Sequence, residues 1–145
     1  MNYTVRFYIS WIIAAIVMYS AFYMWHGIFL NDLNRVTVSK PLFLFLAALV
    51  YLVISFVLYR TFESKTLSSK IHSPLLKGLI SGICIGFMMF AVVFVLGVSF
   101  TKTMSLTYLI ADFSWQIIEQ ILGGILIGFG KMFIFEPHPD MIRND

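Results

Sequence analysis

Four stretches of this chain are each long and apolar enough to cross a bilayer, and that constrains its fold more than any other feature. Spanning about 30 Å of hydrocarbon takes roughly 20 helical residues. The runs cover approximately residues 7–30, 41–59, 75–100 and 108–135. Inside lipid every backbone N–H and C=O must be paired internally, so runs of this length become helices. The predicted architecture is all-α: a polytopic membrane protein with four transmembrane helices in one compact bundle over residues 1–145, ending in a short polar tail at 136–145.

Composition excludes the soluble alternative. Hydrophobic residues make up 60% of the chain and charged residues 12%, against about 45–50% and about 25% in a soluble domain. So few charges do not cover a water-exposed surface. The basic residues sit between the apolar runs, where they suit the headgroups of a lipid bilayer rather than nucleic acid. The single cysteine, Cys84, lies inside a run, so no internal disulfide forms.

The boundaries carry recognisable signals. The first run is longer than a signal-peptide core and has no small-residue cleavage site after it, which predicts an uncleaved span. Asn31, Asp32, Asn34 and Arg35 end it. Pro41 opens the second run, where a missing N–H is tolerated. Ser73 and Pro74 precede the third. Lys102 and its neighbouring hydroxyl residues predict a tight hairpin over 100–107, and Pro137 and Pro139 stop the last run. Arg6, Arg60, Lys65, Lys70, Lys77, Lys131 and Arg143 fall on the side shared by both termini, against Arg35, Lys40 and Lys102 on the other, a count of seven to three. The positive-inside bias then predicts both termini in the cytoplasm.

The last run contains acids. Asp112, Gln116 and Glu119 fall at i, i+4 and i+7 and share one helical face, with Gly123 a turn further. A carboxylate at the centre of a bilayer costs about 2.5–3.5 kcal/mol on insertion scales, so such a residue faces a bundle interior or a wet cavity and finds a partner there. Glu119 lies seven residues deeper than Asp112, about 10.5 Å along the helix. In the first run Tyr19, Tyr23 and His26 have the same stagger. Two matched stripes are therefore expected on facing helices: His26 by Asp112, Tyr23 by Gln116, and Tyr19 by Glu119. Tyr51, Ser55 and Tyr59 of the second run offer a third wall of hydroxyls. One reading is a proton or cation path, or a polar ligand pocket opening outward, since a carboxyl and an imidazole together pass protons. The other is structural glue, side chains bonded across helices to fix the packing. Asp112 also fits a helix-start residue favoured by the positive end of the dipole, and Trp25 beside His26 suggests an interfacial belt.

Glycines form a second pattern. Gly78, Gly82 and Gly86 repeat every four residues in the third run; Gly124 and Gly128 do so in the fourth, beside Gly123. Such stripes let helix backbones approach closely. They fit either a seam between the third and fourth helices of one chain or the interface of a homodimer.

The phrases Tyr23-Met24-Trp25-His26-Gly27 and Asp112-Phe113-Ser114-Trp115-Gln116, continuing to Gly128, resemble those of uncharacterised small four-helix bacterial membrane proteins. The resemblance implies a compact bundle in a bacterial inner membrane and no particular activity.

The chain carries no phosphate-binding loop, dinucleotide fingerprint, HExxH motif or Cys/His cluster, so neither a cofactor nor a resident metal is expected. His26, Asp112 and Glu119 are metal-ligating residue types, but without a spacing motif. No nucleophile–base pair is evident. Three functions fit: a small proton- or cation-linked transporter or channel-like protein, a non-catalytic subunit or assembly factor of a larger membrane complex, and an intramembrane enzyme using His26 and the two acids.

The orientation is directly testable. Reporter fusions at Lys40 and Lys70 should report outside and inside respectively; the reverse pattern would invert the topology.

Overall fold

The computed structural model describes residues 5–34, 38–100 and 105–134. Helix α1, Val5–Phe22, runs on into a π-helical stretch, Tyr23–Phe29, so the first span is Val5–Phe29. Asn31 follows with φ 54°, a left-handed conformation that asparagine tolerates. A 3-10 turn at Asp32–Asn34 leads towards α2, Lys40–Phe62. A short helix α3, Lys65–Lys70, precedes α4, Pro74–Phe100, and the last helix is α5, Leu106–Phe133. Four helices are long and apolar enough to cross a membrane, and no strand occurs among the described residues. The chain is an all-α, multi-pass membrane protein.

Each predicted run is a helix, with ends displaced by a few residues; α2 reaches Phe62 rather than ending at 59. Helix α3 lies in what the sequence reads as a plain polar loop. Its start is set by Ser64, whose hydroxyl accepts from the Leu67 N–H at 3.4 Å, an N-cap that satisfies an orphan donor. Residues 101–104 of the expected hairpin, Arg35, and the tail from 135 with Pro137 and Pro139 lie outside the described residues.

Helix α5 is the hub. On one side it meets α4 through backbone rather than side chains. A Cβ on Gly78 would fall inside the Gly124 carbonyl, and one on Gly124 inside the Gly78 carbonyl. At Gly82 an added Cβ would stand 2.6 Å from both the Gln120 carbonyl oxygen and the Ile121 Cα. A Cβ added at Gly86 would stand 3.0 Å from the Ile117 Cα, and one at Gly128 2.7 Å from the Pro74 carbonyl oxygen. The two glycine stripes thus face each other within one chain. On the opposite side of α5, Gly123 leaves space for Met18 of α1 and Leu58 of α2, both fully buried. Three helices converge there, with the core residues Ala14, Met18, Ile54 and Leu58 around them.

The end carrying residue 5 is closed by aromatic rings and ion contacts. Phe7 stacks on Trp11 at 5.5 Å and meets Tyr59 edge-on at 4.8 Å, and the Trp11 indole donates to the Leu52 carbonyl at 2.8 Å. Lys131 pairs with Glu63 at 3.1 Å. Lys77 donates to the Ser68 hydroxyl at 2.8 Å and lies 4.4 Å over the Phe62 ring, tying α3 to the bundle. At the other end Asn34 bonds Asn31 and receives the Lys40 ammonium.

The backbone contact of α4 with α5 predicts a sharp positional effect. Gly82→Leu should cost at least the about 1–3 kcal/mol typical of overpacking, because the obstacle is main chain that has no room to yield. Cys84→Leu, two residues away on an exposed face, should stay within about 0.5 kcal/mol. Equal losses in detergent melts would contradict the seam.

Candidate functional site

The acidic face of α5 is held in two levels. At the upper level, near the Asn34 end of the bundle, a cavity of about 410 Å³ opens between α1, α2, α4 and α5. His26, Tyr51, Asp112, Trp115 and Gln116 contribute its polar wall groups. At the lower level, three residues beyond Gln116, Glu119 is 2% exposed. The i, i+4, i+7 stripe therefore descends from a cavity into the core, as a helical face must.

Of the pairings that matched stripes predict, Tyr19 and Tyr23 find other surroundings, while His26 and Asp112 share one cavity. Asp112 accepts a hydrogen bond from the Trp25 indole N–H at 3.0 Å, and the Trp25 ring stacks on Trp115 at 4.7 Å with planes 10° apart. His26 lines the same cavity as Asp112 and tilts against Phe22 at 5.0 Å. Tyr23 turns away and lines a separate pocket with Asn34 and Lys40. Tyr19 donates to the Leu44 carbonyl at 3.3 Å and touches the Tyr51 ring edge-on at 6.1 Å. Tyr19 lies in regular α-helix and is taken by the α2 main chain; from Tyr23 onward the physical reason is the π-helical stretch. Its i→i+5 bonding, seen in the Leu30 N–H to Trp25 carbonyl bond of 2.9 Å, takes more residues per turn than an α-helix. Every side chain from Tyr23 onward is rotated from the face that a 3.6-residue period assigns it, and Trp25 arrives at Asp112.

The Tyr51 side chain lies beside Glu119 and interacts with its carboxyl, and Glu119 accepts from Gln120 Nε2 at 3.3 Å. Of the third wall expected from α2, Tyr51 alone reaches the acid. Ser55 bonds the Leu52 carbonyl of its own helix at 3.0 Å, and Tyr59 belongs to the aromatic cluster at the other end. Gln120 is fully buried and its Oε1 has no partner. At i+8 from Asp112 and i+4 from Gln116 it borders the same helical face, so the signal was available in the spacing: a second amide on the polar side of an apolar span. Trp25 was legible only as an interface residue, because its donor role depends on the π-helical rotation.

The two levels are joined by one residue. Tyr51 lines the cavity and also interacts with Glu119. It is 7% exposed, so the contact is shielded. Glu119's partners, Tyr51 and Gln120, are neutral side chains. Among the described residues no three His, Cys, Asp or Glu side chains gather as metal ligands; His26 and Asp112 face the cavity while Glu119 lies beneath it.

Fold and site together define a multi-pass helical membrane protein with a carboxyl buried in its bundle. Compared with known proteins, the chain matches no family model, no curated protein and no solved structure.

Two tyrosines separate the expected pairing from the observed one. Tyr51→Phe removes a partner of a buried carboxyl and should destabilise the protein by about 1–3 kcal/mol. Tyr19→Phe loses one bond to a main-chain carbonyl and should cost about 0.5–1.5 kcal/mol. A larger loss for Tyr19→Phe in detergent melts would restore the Tyr19–Glu119 pairing.

Proposed function

We propose that this chain is a small proton- or cation-linked transport protein whose cargo site is the cavity walled by Asp112, His26 and Gln116. The observation that carries the reading is Tyr51, which touches both the cavity and the buried carboxyl. A positive charge entering the cavity stands one side chain away from Glu119. It favours the carboxylate over the acid, and release of the proton is the natural response. Reloading the proton disfavours the cargo by the same coupling, which is reciprocal. With both termini cytoplasmic the cavity opens outward.

The arrangement supports this over pure structural glue on one point. Glue needs bonded partners and a filled interior, whereas here the polar stripe ends on a cavity of about 410 Å³. The test uses liposomes containing the full chain and an entrapped pH dye. Organic cations from tetramethylammonium to dodecyltrimethylammonium are added outside. At least one should drive proton movement, and Glu119→Gln, which keeps shape and hydrogen bonding, should lower that movement at least tenfold while melting near the wild-type temperature. Proton movement unchanged in Glu119→Gln, or absent for every cation, would overturn the reading.

A further inference from the structure

A second cavity, of about 400 Å³, lies between α2 and α4, farther from the Asp112 end. Its lining is wholly apolar and includes Val53 and Val57 of α2 and Ile85 and Met88 of α4. The polar cavity and this one share Val50, Ile54 and Met89 as wall residues, so they lie side by side along α2 and make up the two ends of a crevice. From Phe43 at the polar end to Val57 at the apolar end is fourteen residues of α2, about 21 Å of helix. Val53 and Met88 are 63% and 61% exposed, which opens the crevice sideways to the hydrocarbon.

The two ends differ in chemistry. The polar end holds the carboxyl of Asp112 among the rings of Phe22, Phe43, Tyr51, Phe90 and Trp115. No Lys or Arg lines it among the described residues. A carboxylate among aromatic faces attracts an ammonium group, and the rings hold it without requiring hydrogen bonds from it. The phosphate of a bilayer phospholipid would instead meet the Asp112 carboxylate with no cation to pair with. The apolar end offers methyl and thioether surface alone, the lining for a hydrocarbon chain.

We propose that this crevice binds a single-chain amphiphile with an ammonium head, the head beside Asp112 and the chain between α2 and α4, entering laterally from the membrane. This names the cargo of the site proposed above and rests on that reading for transport, although not for binding. The shared wall residues place head and chain sites next to each other, within reach of one molecule, so a small ammonium ion should bind far more weakly than its long-chain counterpart.

The experiment uses the full chain in lipid nanodiscs and dodecyltrimethylammonium carrying a photoreactive diazirine at the chain end. Mass spectrometry should find saturable adducts within residues 49–57 and 85–89. Unlabelled dodecyltrimethylammonium should compete; tetramethylammonium and dodecyl sulfate at equal concentration should not. Asp112→Asn keeps an acceptor for Trp25 and should raise the half-saturating concentration at least tenfold. Val53→Trp, at a lipid-facing position, should raise it as well by filling the chain end. Equal competition by dodecyl sulfate would overturn the choice of a cationic head. Unsaturable labelling that spreads to lipid-facing α1 residues such as Ile12 and Ile16 would overturn the site, leaving the crevice covered by ordinary lipid. Saturable labelling without proton movement would sustain the site and sink the transport reading; proton movement with another cation, without labelling, would do the opposite.

Discussion

The rest of the structure depends on main chain touching main chain where α4 crosses α5. Helices in lipid gain little from burying apolar surface, since the surroundings are equally apolar; they associate through close packing and polar contacts. Gly78 against Gly124 and Gly82 against Gln120 and Ile121 supply that packing. Once α4 is held there, the opposite face of α5 is turned towards α1 and α2, and Gly123 receives Met18 and Leu58. Glu119, one turn earlier, is then placed against α2 and meets Tyr51. The same grip draws α4 towards α5, while α2 and α4 stay apart with a crevice between them. Seam, buried acid and cavity are consequences of one contact.

Much of the fold was legible in the sequence because lipid leaves few choices. Run length fixes the number of spans, and helical periodicity puts Asp112, Gln116 and Glu119 on one face whatever they pack against. What they pack against was legible in part: the hydroxyl wall of α2 supplies Tyr51 to Glu119. The expected ladder on the first span overlooks the Leu44 carbonyl that takes Tyr19, and it extrapolates a regular α-helix through Tyr23–Phe29, where the chain is π-helical. Nothing local in Tyr-Met-Trp-His-Gly announces that change of period. Helix α3 escaped for a different reason: a six-residue segment with Leu67 as its one apolar side chain carries no periodic apolar signal, and the helix rests on the Ser64 cap and on Lys77 reaching Ser68.

Trp25 shows how one side chain serves two environments. By position it is an interfacial residue near the end of a span. By contact it is a donor to Asp112 and a stacking surface for Trp115. Its indole covers part of the acid with a neutral donor rather than a cation. A lysine in that position would have sealed the site with an ion pair.

The order of synthesis gives the polar face of α5 a further meaning. Of the four spans α5 is the least apolar, and an acid at a helix centre costs about 2.5–3.5 kcal/mol on insertion. Alone in lipid it would be the poorest candidate to stay there. It is also the last to leave the ribosome. By then α1, α2 and α4 have been made, and with them the Tyr51 hydroxyl, the Met18 and Leu58 side chains and the glycine face that α5 requires. The helix with the greatest need for company is thus the one delivered after its hosts, and its polar residues pass from the insertion machinery to waiting partners rather than to bare hydrocarbon.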